Sequence, residues 1–139
     1  MPSYVVTKTE YEGFPLAIRA CPLDLNDPLW ETNPHLAFLE HELAHVRSNG
    51  LPEGDYNNGL DDFDHEVHQA FERDSVGLVM IVETFGGKRC YYARARSIDD
   101  AEKALKGLVD RYSEHKLTFG TKPGGSHSFY QRYRDDFKW

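Results

Sequence analysis

Two glycine-centred β-hairpins, two stretches with helical periodicity and their alternation along the chain predict an α+β fold. The expected architecture is a ferredoxin-like two-layer sandwich, a largely antiparallel sheet with two helices on one face. With 139 residues the chain suits one domain, residues 1–139, with a real hydrophobic core.

The first hairpin is read in "YVVTKTEYEGFPLAIRACP". Strands over Tyr4 to Glu10 and Phe14 to Ala20 meet near Glu12-Gly13, because β-branched and aromatic residues flank a glycine that can turn. "PLDLNDPLWETNP" carries the Pro and Asn/Asp signals of a loop, with Leu29 and Trp30 tucked onto the core. After the breakers Gly50, Pro52, Gly54 and Gly59, a helix begins near Gly59 or Leu60. Its apolar positions Leu60, Phe63, Val67, Ala70 and Phe71 recur at helical spacing, and Asp61, Asp62 and Asp64 sit in the first turn, where the macrodipole favours anions. Val76 to Phe85 and Lys88 to Arg96 form the second hairpin about Gly86-Gly87. Ser97, with Asp100 three residues on, caps a second helix from Ile98 to Glu114, and "KLTFGT" is the last strand. "PGGS", from Pro123 to Ser126, is expected as a flexible joint. Beyond it, residues 125–139 form a tail whose rings Phe129, Tyr130, Tyr133, Phe137 and Trp139 must cover the domain or a partner.

The balance of 23 Asp and Glu against 16 Lys and Arg, a net charge of -7, disfavours direct contact with nucleic acid. No apolar run suits a membrane span and no leader pattern stands at the N-terminus, so a cytoplasmic protein is expected. Cys21 and Cys90 lack C-x-x-C spacing and are assigned to packing. No cofactor motif is present: "FGGK" lacks P-loop spacing, and the aspartates near residue 61 lack that of a calcium loop.

Between the first loop and the first long helix lies "LEHELAHV", with the H-E-x-x-H pattern of zinc peptidases at His41-Glu42-Leu43-Ala44-His45. On a helix the two imidazoles would share a face, with Glu42 as general base. In a strand their backbones would lie roughly 13 Å apart, too far to close on one metal. Leu36, Leu39, Leu43 and Val46 recur at i, i+3, i+7 and i+10, so periodicity predicts a helix there. A metal site in that case comprises His41, His45 and a third ligand, Glu66, His65 or His68. The extended metzincin pattern is missing, since Ser48 and Leu51 stand where its glycine and third histidine belong.

The succession Gly50-Leu51-Pro52, Phe63-Asp64, Val76-Gly77, Thr84 with Gly86, Gly87 and Arg89, then Tyr91-Tyr92, resembles the bacterial domain of unknown function 695 family. It is more distantly similar to the ribonuclease E inhibitor B family, the regulators of ribonuclease activity B. The "EGFPLAIR" hairpin fits as well, so the resemblance spans nearly the whole chain, while the end departs from the pattern. The resemblance implies that the segment before Gly50-Leu51-Pro52 is a strand, which removes the zinc geometry, and it transfers no catalytic residue.

In the second hairpin Tyr92, Arg94 and Arg96 alternate with Tyr91, Ala93 and Ala95, and the alanines suit the helix side. Tyr92, Arg94 and Arg96, with Tyr130 of the tail, are then the candidate binding residues on the open sheet face, tyrosine and arginine being enriched at interface hot spots. The function expected is that of a non-enzymatic interaction or regulatory domain with a protein partner or a second copy of itself, no cofactor and no metal. The alternative is a small zinc metallopeptidase built on His41, Glu42 and His45.

Overall fold

A computed structural model describes residues 4–137. Its elements are β1 (Val5–Tyr11), β2 (Phe14–Ala20), α1 (Leu29–Thr32), β3 (His35–Glu42), α2 (Gly54–Asn58), α3 (Asp61–Glu72), β4 (Gly77–Phe85), β5 (Lys88–Ala95), α4 (Ile98–Arg111), β6 (Lys116–Gly125) and α5 (Ser126–Phe137). The fold is α+β. Six strands form one sheet in the order β1-β2-β4-β5-β3-β6, and every neighbouring pair is antiparallel. From β3 onward the strand, helix, strand, strand, helix, strand succession follows a ferredoxin-like plan, and the N-terminal hairpin extends the sheet beyond β4. No helix of the described residues is long and apolar enough to cross a membrane.

The two expected helices lie on one face. Phe63, Val67 and Phe71 of α3 and Ala101, Leu105 and Leu108 of α4 are buried against Ala37, Leu39, Val79, Val82, Tyr91 and Ala93. Ser97 caps α4 by accepting from the Asp100 N–H. The opposite face has its own core of Leu16, Ile18, Ala20, Met80 and Ile81 beneath Trp30, Tyr130 and Tyr133. A register shift between Val79 and Ile81 lets β4 serve both cores: Val79 and Val82 face α3 and α4, while Met80 and Ile81 face the other way.

The covering of that second face corrects two expectations. Residues 126–137 are a helix, where only a tail was expected, and of the two coverings expected for its rings Phe129, Tyr130, Tyr133 and Phe137 take the domain itself; Trp139 lies outside the described residues. The Pro-Gly-Gly-Ser segment is a pinned corner, not a flexible joint. Gly124 and Gly125 take φ of 67° and 83° to reverse the chain, the Gly124 N–H donates to His35 Nδ1, and Ser126 donates from N to Pro34 O and from Oγ to Asn33 O.

A third correction concerns residues 36–46, which periodicity assigns to a helix and which form β3 and the loop after it. The apparent stripe joins residues of different environments. Leu36 packs into the α5-side core, Leu39 into the α3 and α4 side, Leu43 is buried past the strand end, and Val46 is exposed. β3 is hydrogen-bonded on both sides, to β5 and β6, so its ladders outweigh the local periodicity.

Candidate functional site

The strand places the zinc-motif residues apart. His41 is 1% exposed, its ring 5.2 Å from that of Phe63 and 4.7 Å from that of His115. His45 lies in the loop beyond β3 on the surface, its ring 5.0 Å from Tyr56. Glu66 is engaged by Arg111 at 3.2 Å and Arg73 at 4.0 Å, and His65 is exposed. Among the described residues no group of three or more His, Cys, Asp or Glu side chains is placed to hold a metal ion. The helical spacing that the peptidase chemistry requires is therefore absent from this segment.

The candidate binding residues on β5 have the expected parity but not the expected exposure. Tyr91, Ala93 and Ala95 face α3 and α4, whereas Tyr92 packs beside Phe129 under α5. Arg94 is 4% exposed, its guanidinium 4.7 Å over the Trp30 ring and 3.8 Å from Asp27. Tyr130 is fully buried, donating to Cys21 O and accepting from the Leu23 N–H. Tyr92, Arg94 and Tyr130 thus belong to the interior, because α5 and Trp30 cover the face that was expected to be open. Arg96 alone stays at the surface, paired with Asp100 at 2.8 Å. Substituting Arg94 is accordingly not neutral. Arg94→Asp should cost about 3 kcal/mol or more in urea unfolding, since it buries an acid beside Asp27, while Arg94→Met keeps the volume and should change stability by less than about 1.5 kcal/mol.

A polar network that sequence reasoning missed lies where β2, β4 and β5 meet α3. The Arg19 Nη2 donates to Asp64 Oδ1 at 2.6 Å, and the Tyr91 hydroxyl donates to the same oxygen at 3.0 Å. The Tyr4 hydroxyl donates to Val79 O at 2.9 Å, so its oxygen accepts from His68 Nδ1 at 3.1 Å, and His68 Nε2 accepts from Arg19 at 3.1 Å. This tautomer needs a neutral His68, in keeping with burial, which lowers its pKa to about 4 against the opposing pull of Asp64. Burial likewise raises the pKa of both tyrosines. The network leaves the buried Arg19 Nε without a hydrogen-bond partner, and its remaining contacts fix the chain before β1, then β2, to α3. The only trace of it in the sequence is the i, i+4 spacing of Asp64 and His68.

Beyond that anchor the sheet is bare. The residues of β1 are exposed or half-buried on both faces. Val5, Val6, Tyr11 and Phe14 are 43, 65, 51 and 52% exposed, so among the described residues four of the eight large apolar ones left in solvent sit on this one hairpin. At its turn Phe14, Val46 and Phe85 border a surface cleft of about 400 Å³. On the α3 side Val6 borders another of about 200 Å³ with Arg19, Thr84 and Arg89; there Arg89 donates to Thr84 and Asn57. The backbone of β1 pairs on one side only, with β2. Such an edge, held firmly from behind and carrying exposed apolar side chains at both ends, suits the addition of another polypeptide strand. Comparison with protein-family models, with curated proteins and with solved structures finds no match.

Proposed function

We infer that the chain is a non-catalytic interaction domain that recognises a protein through its N-terminal hairpin. The observation that carries this reading is the gathering of Val5, Val6, Tyr11 and Phe14 in solvent on the open edge of the sheet. Strand addition supplies backbone hydrogen bonds along β1, and the exposed rings and valines supply the apolar contact that selects the partner. The acidic balance of the chain speaks against nucleic acid as that partner. The resemblance to the ribonuclease E inhibitor B family adds a regulatory sense, in which the bound protein is an enzyme restrained by the contact.

Affinity capture from a lysate of the organism that encodes the chain tests the reading. A discrete polypeptide retained by the wild type should be lost with Val6→Asp and Tyr11→Asp and kept with Phe119→Asp on the far edge. If both edges matter equally, or neither does, the hairpin is not the contact. A residue central to such an interface is worth about 2 kcal/mol or more, roughly thirtyfold in affinity.

A further inference from the structure

We propose that β1 pairs antiparallel with β1 of a second copy of this chain, in the register that sets Lys8 opposite Glu10 of the other copy, joining the two sheets across a twofold axis at Thr9. The proposal rests on the interaction-domain reading and names its partner.

Geometry and charge select this register. The hairpin closes through a two-residue turn, Glu12 and Gly13 at φ of 53° and 83°, with Tyr11 opposite Phe14. A two-residue turn makes the flanking residues a hydrogen-bonded pair, so the antiparallel alternation turns the backbone groups of Tyr11, Thr9, Thr7 and Val5 towards β2. It leaves those of Glu10, Lys8 and Val6 pointing out of the sheet. A second β1 related by a twofold axis normal to the sheet must match outward residues with outward residues, which allows a few registers only. Centring on Lys8 sets two ammonium groups face to face. Centring on Thr9 sets Lys8 opposite Glu10 twice and Thr9 opposite Thr9, and lets each Lys8 and Glu10 exchange both backbone hydrogen bonds. Opposite charges and paired threonines are the favourable cross-strand combinations, and like charges directly opposite are unfavourable.

Both charged residues are free to serve. Lys8 and Glu10 are exposed, their neighbours on β2 are Ala17 and Pro15, and neither forms an ion pair among the described residues. The opposite edge of the sheet offers no such complement. The charged side chains of β6 are Lys116 and Lys122, all of one sign, and Pro123 lacks a backbone donor.

Sedimentation equilibrium of the whole chain over a wide concentration range decides the matter. The wild type should approach twice its 16.0 kDa monomer mass. Lys8→Glu and Glu10→Lys, each of which turns both cross-strand pairs repulsive, should weaken the dimer about tenfold or more, and the double exchange Lys8→Glu/Glu10→Lys should restore it. Both sites are exposed, and circular dichroism checks that each variant stays folded. A wild type that is monomeric throughout overturns the proposal, as does a dimer indifferent to the single reversals. A monomer that still captures a protein through Val6 and Tyr11 removes the self-pairing alone and leaves the interaction-domain reading standing.

Discussion

Gly77→Ala is expected to destabilise the protein by about 3 to 5 kcal/mol, a large part of the roughly 5 to 15 kcal/mol that holds a domain of this size. Gly77 opens β4 opposite Ala95. A methyl group there would meet the Arg94 carbonyl oxygen at 2.0 Å and Ala95 Cα at 3.0 Å. These are backbone atoms, so no rotamer relieves the contact. β5 cannot retreat either, because it is laddered to β4 on one side and β3 on the other. The reference substitution is Gly107→Ala, on the exposed side of α4, where the added carbon meets nothing within 4 Å. It should stabilise by up to about 1 kcal/mol through helix propensity and a less flexible unfolded chain. Urea unfolding measures both as shifts in midpoint at unchanged slope. A neutral Gly77→Ala would mean that β4 and β5 are not paired in this register.

The same steric logic explains other glycines in the motif succession. Gly50, at φ of 88°, lies so close to the hairpin turn that an added Cβ would come within 2.9 Å of Gly86 Cα, and its carbonyl accepts from the Gly87 N–H at 2.8 Å. Gly50-Leu51-Pro52 and Gly86-Gly87 therefore form one packed junction between the loop after β3 and the β4 to β5 turn. Each of these two turns is one half of that contact.

What was legible in the chain was what local periodicity determines. Both hairpins, α3 and α4 follow from spacing and turn residues, and the inward parity of Tyr91, Ala93 and Ala95 follows from the small residues. Periodicity failed where one element serves two cores. The leucines around β3 imitate a helical stripe because Leu36 and Leu39 face opposite sides of a buried strand. α5 is hard to read in the sequence because a proline and two glycines precede it and its rings stand among charged residues, although 129, 130, 133 and 137 are helical intervals. Without α5 above them, Tyr92 and Arg94 read as solvent-facing; with it they are covered. The candidate site was the least legible part. Tyr4, Arg19, Asp64, His68 and Tyr91 converge from four separate segments, and the exposure of β1 depends on its place at the end of the strand order, which no local pattern encodes.

Lowering the pH from about 6.5 to about 4 should remove a large part of the stability, through two buried histidines. His41 and His68 are 1% and 5% exposed, and burial is the main cause that lowers the pKa of each to about 4. His115 and Arg89 lower His41 further, while at His68 Asp64 opposes and Arg19 and His65 assist the downward shift. In the unfolded chain both titrate near pH 6.5. Above that value neither state binds the proton and nothing changes. Below it the unfolded chain takes up protons that the fold refuses, so stability falls until the folded values near pH 4 are reached, by up to about 3 kcal/mol for each residue. The two contributions have separable signatures. His68→Gln should flatten about half of the slope at the expense of its hydrogen bonds to Tyr4 and Arg19. His41→Leu should flatten the other half without loss at neutral pH, because His41 Nδ1 is buried with no partner and its removal takes away an unsatisfied polar atom. Urea midpoints at half-unit steps from about pH 8 to about pH 4 provide the measurement. A stability that stays level across this range, or a slope unchanged in both variants, would show that these histidines carry their protons inside the fold, and with them the tautomer assigned to His68 would fall.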